Sequence, residues 1–374
     1  MKIAVDSRAL MNAPAGVANY LLTAINQISV QNSSWLLLLL VNRDLHKEAR
    51  NKLNTRENVI IIRKPMRIFG GIGILWYVIK LYFILKQLKP DYFWAPANVL
   101  PLMVPKGIRT IVTVHDLVAK QYRNTMIVID RLYYRISFNR SVNKADILWA
   151  VSHYTRSELE RNYPKRKCKD ILVGQCIDKG LFHTKNVSAK EKKEILKGLG
   201  ISEKFILFVG TIEPRKNLKF LISLMPELAK FGFSLLVVGA KGWGNSEIDE
   251  ALNSRDIPRD RIVFSGFLSS EKLVYLYNIA SLLVLPSINE GFGLPALEAM
   301  CCGCPVVAAD NSGLREVVQN GGLLISGWRK KNWIDGIRGV YKKRDMFVKS
   351  GLEKAGEYNL TKAIERFTKK CEFK

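Results

Sequence analysis

The sequence predicts an α/β protein made of two doubly wound, Rossmann-like domains in tandem, facing each other across a cleft. Three observations carry this. Short apolar runs alternate with amphipathic stretches along the chain, the pattern of parallel βαβ units whose sheets are covered on both faces. The 374 residues exceed what one hydrophobic core ordinarily serves, and 48% hydrophobic with 24% charged residues is a globular balance. Several apolar runs end in glycine-bearing turns, at the carboxyl ends of strands where such sheets take their ligands.

In the first half, strands are expected at Ile3 to Asp6, Trp35 to Val41, Val59 to Ile62, Tyr92 to Ala95, Thr110 to His115, Ile147 to Val151 and Ile171 to Val173. Helices are expected over Val17 to Ile28 and much of Ile72 to Leu88. The pattern pauses near Gln175 to Lys190, where the linker is placed, so that the domains run over residues 1–178 and 190–355. The second series has strands at Phe205 to Val209, Ser234 to Val238, Ile262 to Phe264, Leu282 to Leu285, Val306 to Ala309 and Leu323 to Ile325, with a helix from Asn217 to Phe231. Residues 356–374 read as a basic amphipathic helix packing back on the first domain.

The net charge of +25 suits nucleic acid, an anionic membrane face or phosphate-bearing small molecules. Nucleic-acid binding predicts aromatics interleaved with basic residues on one face, which the sequence lacks. Six cysteines without a Cys-x-x-Cys pair argue against zinc and for buried, reduced thiols. Met1 to Asp6 reads as a buried strand rather than a signal peptide. Ile68 to Leu85 is apolar over about the length a bilayer requires, but Lys80 interrupts it and Lys86 to Pro90 closes it. It is read as a helix packed on a sheet, with surplus apolar surface for a membrane interface.

Five segments carry candidate chemistry. Glu290-Gly-Phe-Gly-Leu-Pro-Ala-Leu-Glu298 sits at a strand-to-helix junction, where the bare amides around Gly291, Phe292, Gly293 and Leu294 can face an anion or sugar hydroxyls. Glu290 and Glu298 suit a hydroxyl-rich ligand, since a carboxylate accepts several hydrogen bonds; the plainer alternative is a glycine turn and a glutamate favoured by the helix dipole. Gly210-Thr-Ile-Glu-Pro-Arg-Lys-Asn217 places Arg215 and Lys216 at the next helix start, a diphosphate clamp or an exposed basic turn. Gly239 opens another ligand-facing loop. In the first half, Gly16 follows the first strand at a turn suited to phosphate approach, and His115 ends a strand towards the cleft unless it only pairs with Asp116.

Together, Gly210-Thr-Ile-Glu-Pro-Arg-Lys-Asn217 and Glu290-Gly-Phe-Gly-Leu-Pro-Ala-Leu-Glu298-Ala-Met resemble glycosyltransferase family 4, retaining enzymes of the GT-B fold. The resemblance runs from the first strand to about Leu324. Phe93-Trp-Ala-Pro, Val114-His-Asp-Leu117 and Ala150-Val-Ser-His153 resemble the bacterial mannosyltransferase branch that builds O-antigen and other surface polysaccharides. The resemblance implies that Glu290 contacts the transferred sugar near the reacting carbon and that Glu298 binds the donor ribose. It implies that Gly291 to Leu294 offer amides to sugar and phosphate, and that Arg215 and Lys216 neutralise the leaving diphosphate. Gly16 would lie beside the donor phosphates and His115 near the sugar hydroxyls.

The implied reaction transfers a hexose, mannose from GDP-mannose being the branch's donor, with retention at the anomeric carbon and no essential metal or other cofactor. The acceptor would be lipid-linked or an oligosaccharide, and the place of work cytoplasmic, peripheral on the inner face of the cell membrane. UDP- or dTDP-sugars are the alternative donors. Nucleotide-sugar 2-epimerases share the architecture but lack the Arg-Lys-Asn start paired with spaced glutamates. Two departures stand out: Ser326-Gly-Trp-Arg-Lys-Lys331 is short and basic where the family has an acidic, proline-bearing loop, and Ala15-Gly16 replaces paired glycines.

Overall fold

The computed structural model describes residues 1–14, 16–54, 56–65, 76–117, 128–242 and 246–372. The chain divides into two compact units, Met1–Ile177 with Asn359–Lys374, and Asp178–Tyr358.

The first unit holds β1 (Lys2–Asp6), β2 (Leu36–Val41), β3 (Val59–Arg63), β4 (Tyr92–Ala95), β5 (Arg109–Val114), β6 (Ile147–Ala150) and β7 (Leu172–Val173), in the order β3-β2-β1-β4-β5-β6-β7. Every neighbouring pair is parallel. Covered strands tolerate no polar face, which is why β2 is the unbroken run Leu-Leu-Leu-Leu-Leu-Val, buried from Leu37 onward. The helix Leu360–Glu372 belongs to this unit. Its Phe367 stacks on Trp149 at 4.8 Å and meets Trp94 and Trp35, and Tyr92 Oη donates to the Cys371 carbonyl at 2.7 Å. Fully burying a phenylalanine contributes about 1.5–3 kcal/mol, so Phe367 anchors the end of the chain to the sheet it left at β7.

The second unit holds β8 (Phe205–Val209), β9 (Ser234–Val238), β10 (Ile262–Gly266), β11 (Leu282–Leu285), β12 (Val306–Ala309) and β13 (Leu323–Ile325), all parallel, in the order β10-β9-β8-β11-β12-β13. In both sheets the strand order reverses at one place, between β1 and β4 and between β8 and β11. Loops at the carboxyl ends of such a pair diverge and leave a crevice, the standard ligand position in a doubly wound sheet.

The structure corrects several expectations. Asn217 to Phe231 is not one helix but two, Leu218–Ile222 and Met225–Lys230. Ser223 Oγ bonds back to the Phe220 carbonyl at 2.8 Å, and Pro226 stands in the first turn of the second helix, so local chemistry makes the break. The last residues form Arg344–Gly356 and Leu360–Glu372. Residues 66–75 lie outside the described residues, and with them the start of the helix expected over Ile72 to Leu88. Its described part is a π-turn, Trp76–Lys80, followed by the helix Leu81–Leu88. Among the described residues no helix is long and apolar enough to cross a membrane. All six cysteines are free and buried.

Candidate active site

The reversal between β8 and β11 positions the charged residues. The loop after β8 is pinned against the end of β9, where Gly210 N–H donates to the Val238 carbonyl at 3.0 Å. A Cβ on Gly239 would stand 2.0 Å from the Gly210 carbonyl oxygen, so only glycine permits this approach. The loops after β8 and β11 are tied by Ile288 N–H on the Arg215 carbonyl at 2.8 Å. The β11 loop is tied in turn to the β12 loop: Glu290 N–H donates to Ser312 Oγ at 3.0 Å, and Gly313 N–H to the Glu290 carbonyl at 3.0 Å.

On this scaffold four charged side chains meet. Arg215 Nη1 donates to Glu290 Oε2 at 2.9 Å and to the Asn289 carbonyl at 2.8 Å. Arg215 Nε and Nη2 both reach Glu213 Oε1, at 3.0 and 2.6 Å. Lys216 Nζ bonds Glu290 Oε1, as does Ser287 Oγ at 2.8 Å. Arg215 and Lys216 do not begin the helix, as the sequence implied. They lie in a 3-10 turn, Pro214–Lys216, closed by Asn217 in the left-handed region at φ +54°. The turn aims both side chains at Glu290 instead of along the helix axis, and the clamp expected to be open is held by carboxylates.

Burial pushes the Glu290 carboxyl up, but the charges of Lys216 and Arg215 and the hydrogen bonds from Lys216 and Ser287 outweigh burial and hold it below its ordinary value. It is an anion with both oxygens occupied. Among the described residues Glu290 is the partner of the Lys216 ammonium, which has three donors in all. Lys216 lies over Gly210, with Cε 3.6 Å from where a Cβ would be.

Glu298 sits one turn into the helix Leu294–Cys301, which the same loop launches. Its Oε2 accepts from Tyr277 Oη at 2.9 Å. Burial raises this carboxyl to about 7, against the lowering effect of the Tyr277 hydrogen bond. The two glutamates, eight positions apart, therefore differ in protonation near neutral pH.

Of the intervening residues, Phe292 turns its ring inward, 3% exposed and edge-on to Tyr358 at 5.3 Å, so only its backbone can serve a ligand. Gly293 adopts φ +102°, and a Cβ there would meet Leu314 Cδ2 at 2.7 Å. This bend turns the loop into the helix that begins at Leu294, with Pro295 in its first turn. The amides of Gly291 to Leu294 thus lie at a helix start carrying no acidic side chain in its first turn.

Gly16 and His115 belong to the first unit and lie at its own sheet's carboxyl ends. Gly16 caps the helix Val17–Gln31, its carbonyl accepting Tyr20 N–H at 3.0 Å; the adjoining Ala15 is outside the described residues. His115 stands one residue past β5 rather than within it. Its Nε2 faces the Pro96 carbonyl at 2.8 Å, its N–H donates to Asn98 Oδ1 at 2.8 Å, and Tyr20 packs edge-on at 5.0 Å. Burial lowers its pKa, more than Pro96 and Asp116 raise it, so the ring is neutral at pH 7. With the Pro96 carbonyl as its neighbour, Nε2 is the nitrogen that carries the proton.

The structure brings Arg215, Lys216, Glu290 and Gly210 together, with Glu298 on the adjoining helix and Gly239 beneath the β8 loop. It adds Glu213, Ser287, Ser312 and Tyr277, which sequence reasoning missed. Glu213 stands two residues before Arg215 and Ser287 three before Glu290, spacings that offered a signal. Ser312 and Tyr277 come from other loops and helices, where none exists. Among the described residues no group of three or more His, Cys, Asp or Glu is placed to hold a metal ion.

Residues 191–356 match the family described as glycosyl transferases group 1, and residues 16–174 match glycosyltransferase family 4. The chain belongs to glycosyltransferase family 4 and has its GT-B fold. It is 30% identical over 246 residues to the O-antigen chain mannosyltransferase B of Escherichia coli, a match covering 64% of this chain and 62% of that protein. It is 25% identical over 271 residues to the O-antigen chain mannosyltransferase RfbU of Salmonella typhimurium, covering 71% and 70%. The chain thus spans about three fifths to seven tenths of the length of these relatives. In fold it is similar to HepE of Anabaena, solved in complex with UDP and glucose, with a TM-score of 0.74 at 16% identity over 100% of this chain and 99% of that one.

Proposed function

We propose that this chain is a retaining glycosyltransferase that takes a hexose from a nucleotide sugar held at the β8/β11 reversal and passes it to a lipid-linked or glycan acceptor in surface polysaccharide synthesis. The observation that carries the proposal is the meeting of Arg215, Lys216 and Glu290 at that reversal. Mannose from GDP-mannose is the donor favoured by the sequence motifs and by the similarity to two O-antigen mannosyltransferases; UDP- and dTDP-sugars are the alternatives.

The chemistry follows from charge. Departure of the nucleoside diphosphate builds negative charge on its oxygens. Lys216, with donors beyond the one given to Glu290, stabilises that charge, helped by Arg215 and the amides that open the helix at Leu294. Arg215 acts by its charge and by orienting Glu290, since its fork is shared between Glu213 and Glu290. Glu290 is the acceptor for sugar hydroxyls, Glu298 for the ribose. Charge neutralisation falls to the Lys216 and Arg215 side chains rather than to a metal ion, so EDTA should leave turnover unchanged.

Peripheral attachment to an anionic membrane has its own support. Ile79 and Phe83 are exposed, Phe83 by 62%, in a stretch that also carries Lys80, Lys86 and Lys89. Phe83→Asp should reduce recovery with anionic vesicles. A panel of GDP-, UDP-, ADP- and dTDP-sugars, read by thermal shift and then by NMR of the product's anomeric configuration, tests the whole reading. A donor accepted with inversion, or no sugar nucleotide bound, overturns it.

A further inference from the structure

We propose that Tyr277 is a positioning residue for donor binding: it grips one oxygen of Glu298 so that the other is presented to the nucleotide's ribose. This rests on the ribose assignment above.

Tyr277 is 0% exposed on the helix Ser270–Ile279, and Phe182 packs edge-on against its ring at 6.3 Å. The phenol is therefore fixed, and its hydroxyl holds Glu298 Oε2 at 2.9 Å. Oε1 has no hydrogen-bond partner among the described residues, yet it is not one of the side-chain atoms buried without a partner. Oε1 therefore keeps some contact with solvent within the 7% of surface that Glu298 retains. A carboxylate held on one side and open on the other is a one-directional acceptor, the arrangement vicinal hydroxyls need. A free carboxylate would lose that geometry to rotation about its terminal bond.

Among the described residues nothing else around Glu298 does this work. Cys301 and Cys302 at the end of its helix and Cys304 beyond are thiols that burial pushes up, and they stay neutral. Lys179 acts on Cys301. The helix Arg344–Gly356 meets this helix with Gly351 against Met300, and the helix Ser312–Val318 with Leu314 at Gly293. The Tyr277 hydrogen bond is what opposes desolvation of the carboxylate.

The test is calorimetric titration of the full chain with GDP and UDP and with their 2′,3′-dideoxy counterparts, at about pH 6, 7 and 8.5. Tyr277→Phe keeps the ring and removes the hydroxyl. A hydrogen bond to a charged group is worth about tenfold or more, so the tighter ribonucleotide should weaken about tenfold at neutral pH. The dideoxy nucleotide should be unaffected, and the deficit should shrink at the highest pH, where Glu298 ionises without help. A deficit equal for both nucleotides and at every pH, or no deficit, overturns the positioning role. Glu298→Gln should abolish the preference for the ribonucleotide. If that preference survives Glu298→Gln, the ribose assignment itself fails, a result distinct from failure of Tyr277 alone. Should Tyr277→Phe not fold, the wild-type preference for the ribonucleotide must still rise with pH through about 7. A flat profile overturns the proposal.

Discussion

Two parts of one segment, the loop that carries Glu290 and the helical turn that carries Glu298, bury their carboxyls equally, each 7% exposed. The loop surrounds its glutamate with Arg215, Lys216 and Ser287, and the anion survives burial. The turn offers one phenol, and the carboxyl rises to about 7. Burial pushes both carboxyls up; the partners of Glu290 outweigh it, and the single partner of Glu298 does not. The first site is a charge-balanced group of two cations and two carboxylates, Arg215 and Lys216 with Glu213 and Glu290. The second is a nearly neutral acceptor, suited to hydroxyls.

The contrast can be broken from either side. The largest effect is expected from Glu290→Ala, which takes the carboxylate from Lys216 and leaves Arg215 with Glu213; breaking a buried pair costs about 3–5 kcal/mol, and the loss is read by chemical denaturation. Next is Lys216→Ala, which should lower turnover about a hundredfold, as losing a leaving-group stabiliser does, with the loss in kcat rather than KM. Third is the pH dependence of stability. Glu298, raised in the fold, favours the folded state below its unfolded pKa, and this contribution disappears as pH climbs to about 7. Glu290, lowered in the fold, stabilises above the ordinary glutamate value and loses that effect as pH falls through its folded pKa. Glu298→Gln should therefore remove a decline of order 1–3 kcal/mol between about pH 4.5 and 7 and leave the acid limb, measured by denaturation at each pH. The smallest effect belongs to Ser287→Ala, which removes one of the bonds on Glu290 and should cost about 1 kcal/mol.

The fold was legible because covered parallel strands write themselves as unbroken apolar runs, as in β2, β8 and β9, and these lie where the sequence placed them. What failed was continuity. A helical period from Asn217 to Phe231 does not reveal that Ser223 bonds its own backbone or that Pro226 restarts the helix. Of the site, the segments were legible and the pairing was not. Glycines and charges after strands marked the loops, but that Arg215 and Lys216 both turn onto Glu290 depends on the positive φ of Asn217 and on β8 lying beside β11. Sheet order is a long-range property, and Tyr277, 21 positions before Glu298, enters only through packing.

The most direct test is calorimetry of GDP and UDP on the wild type and on Lys216→Ala. At least one nucleotide should bind the wild type, and the substitution should weaken it about tenfold or more by removing a charge from the diphosphate site. Equal affinities in the two proteins would contradict this and would leave the cations at the β8/β11 reversal as structural partners of Glu213 and Glu290.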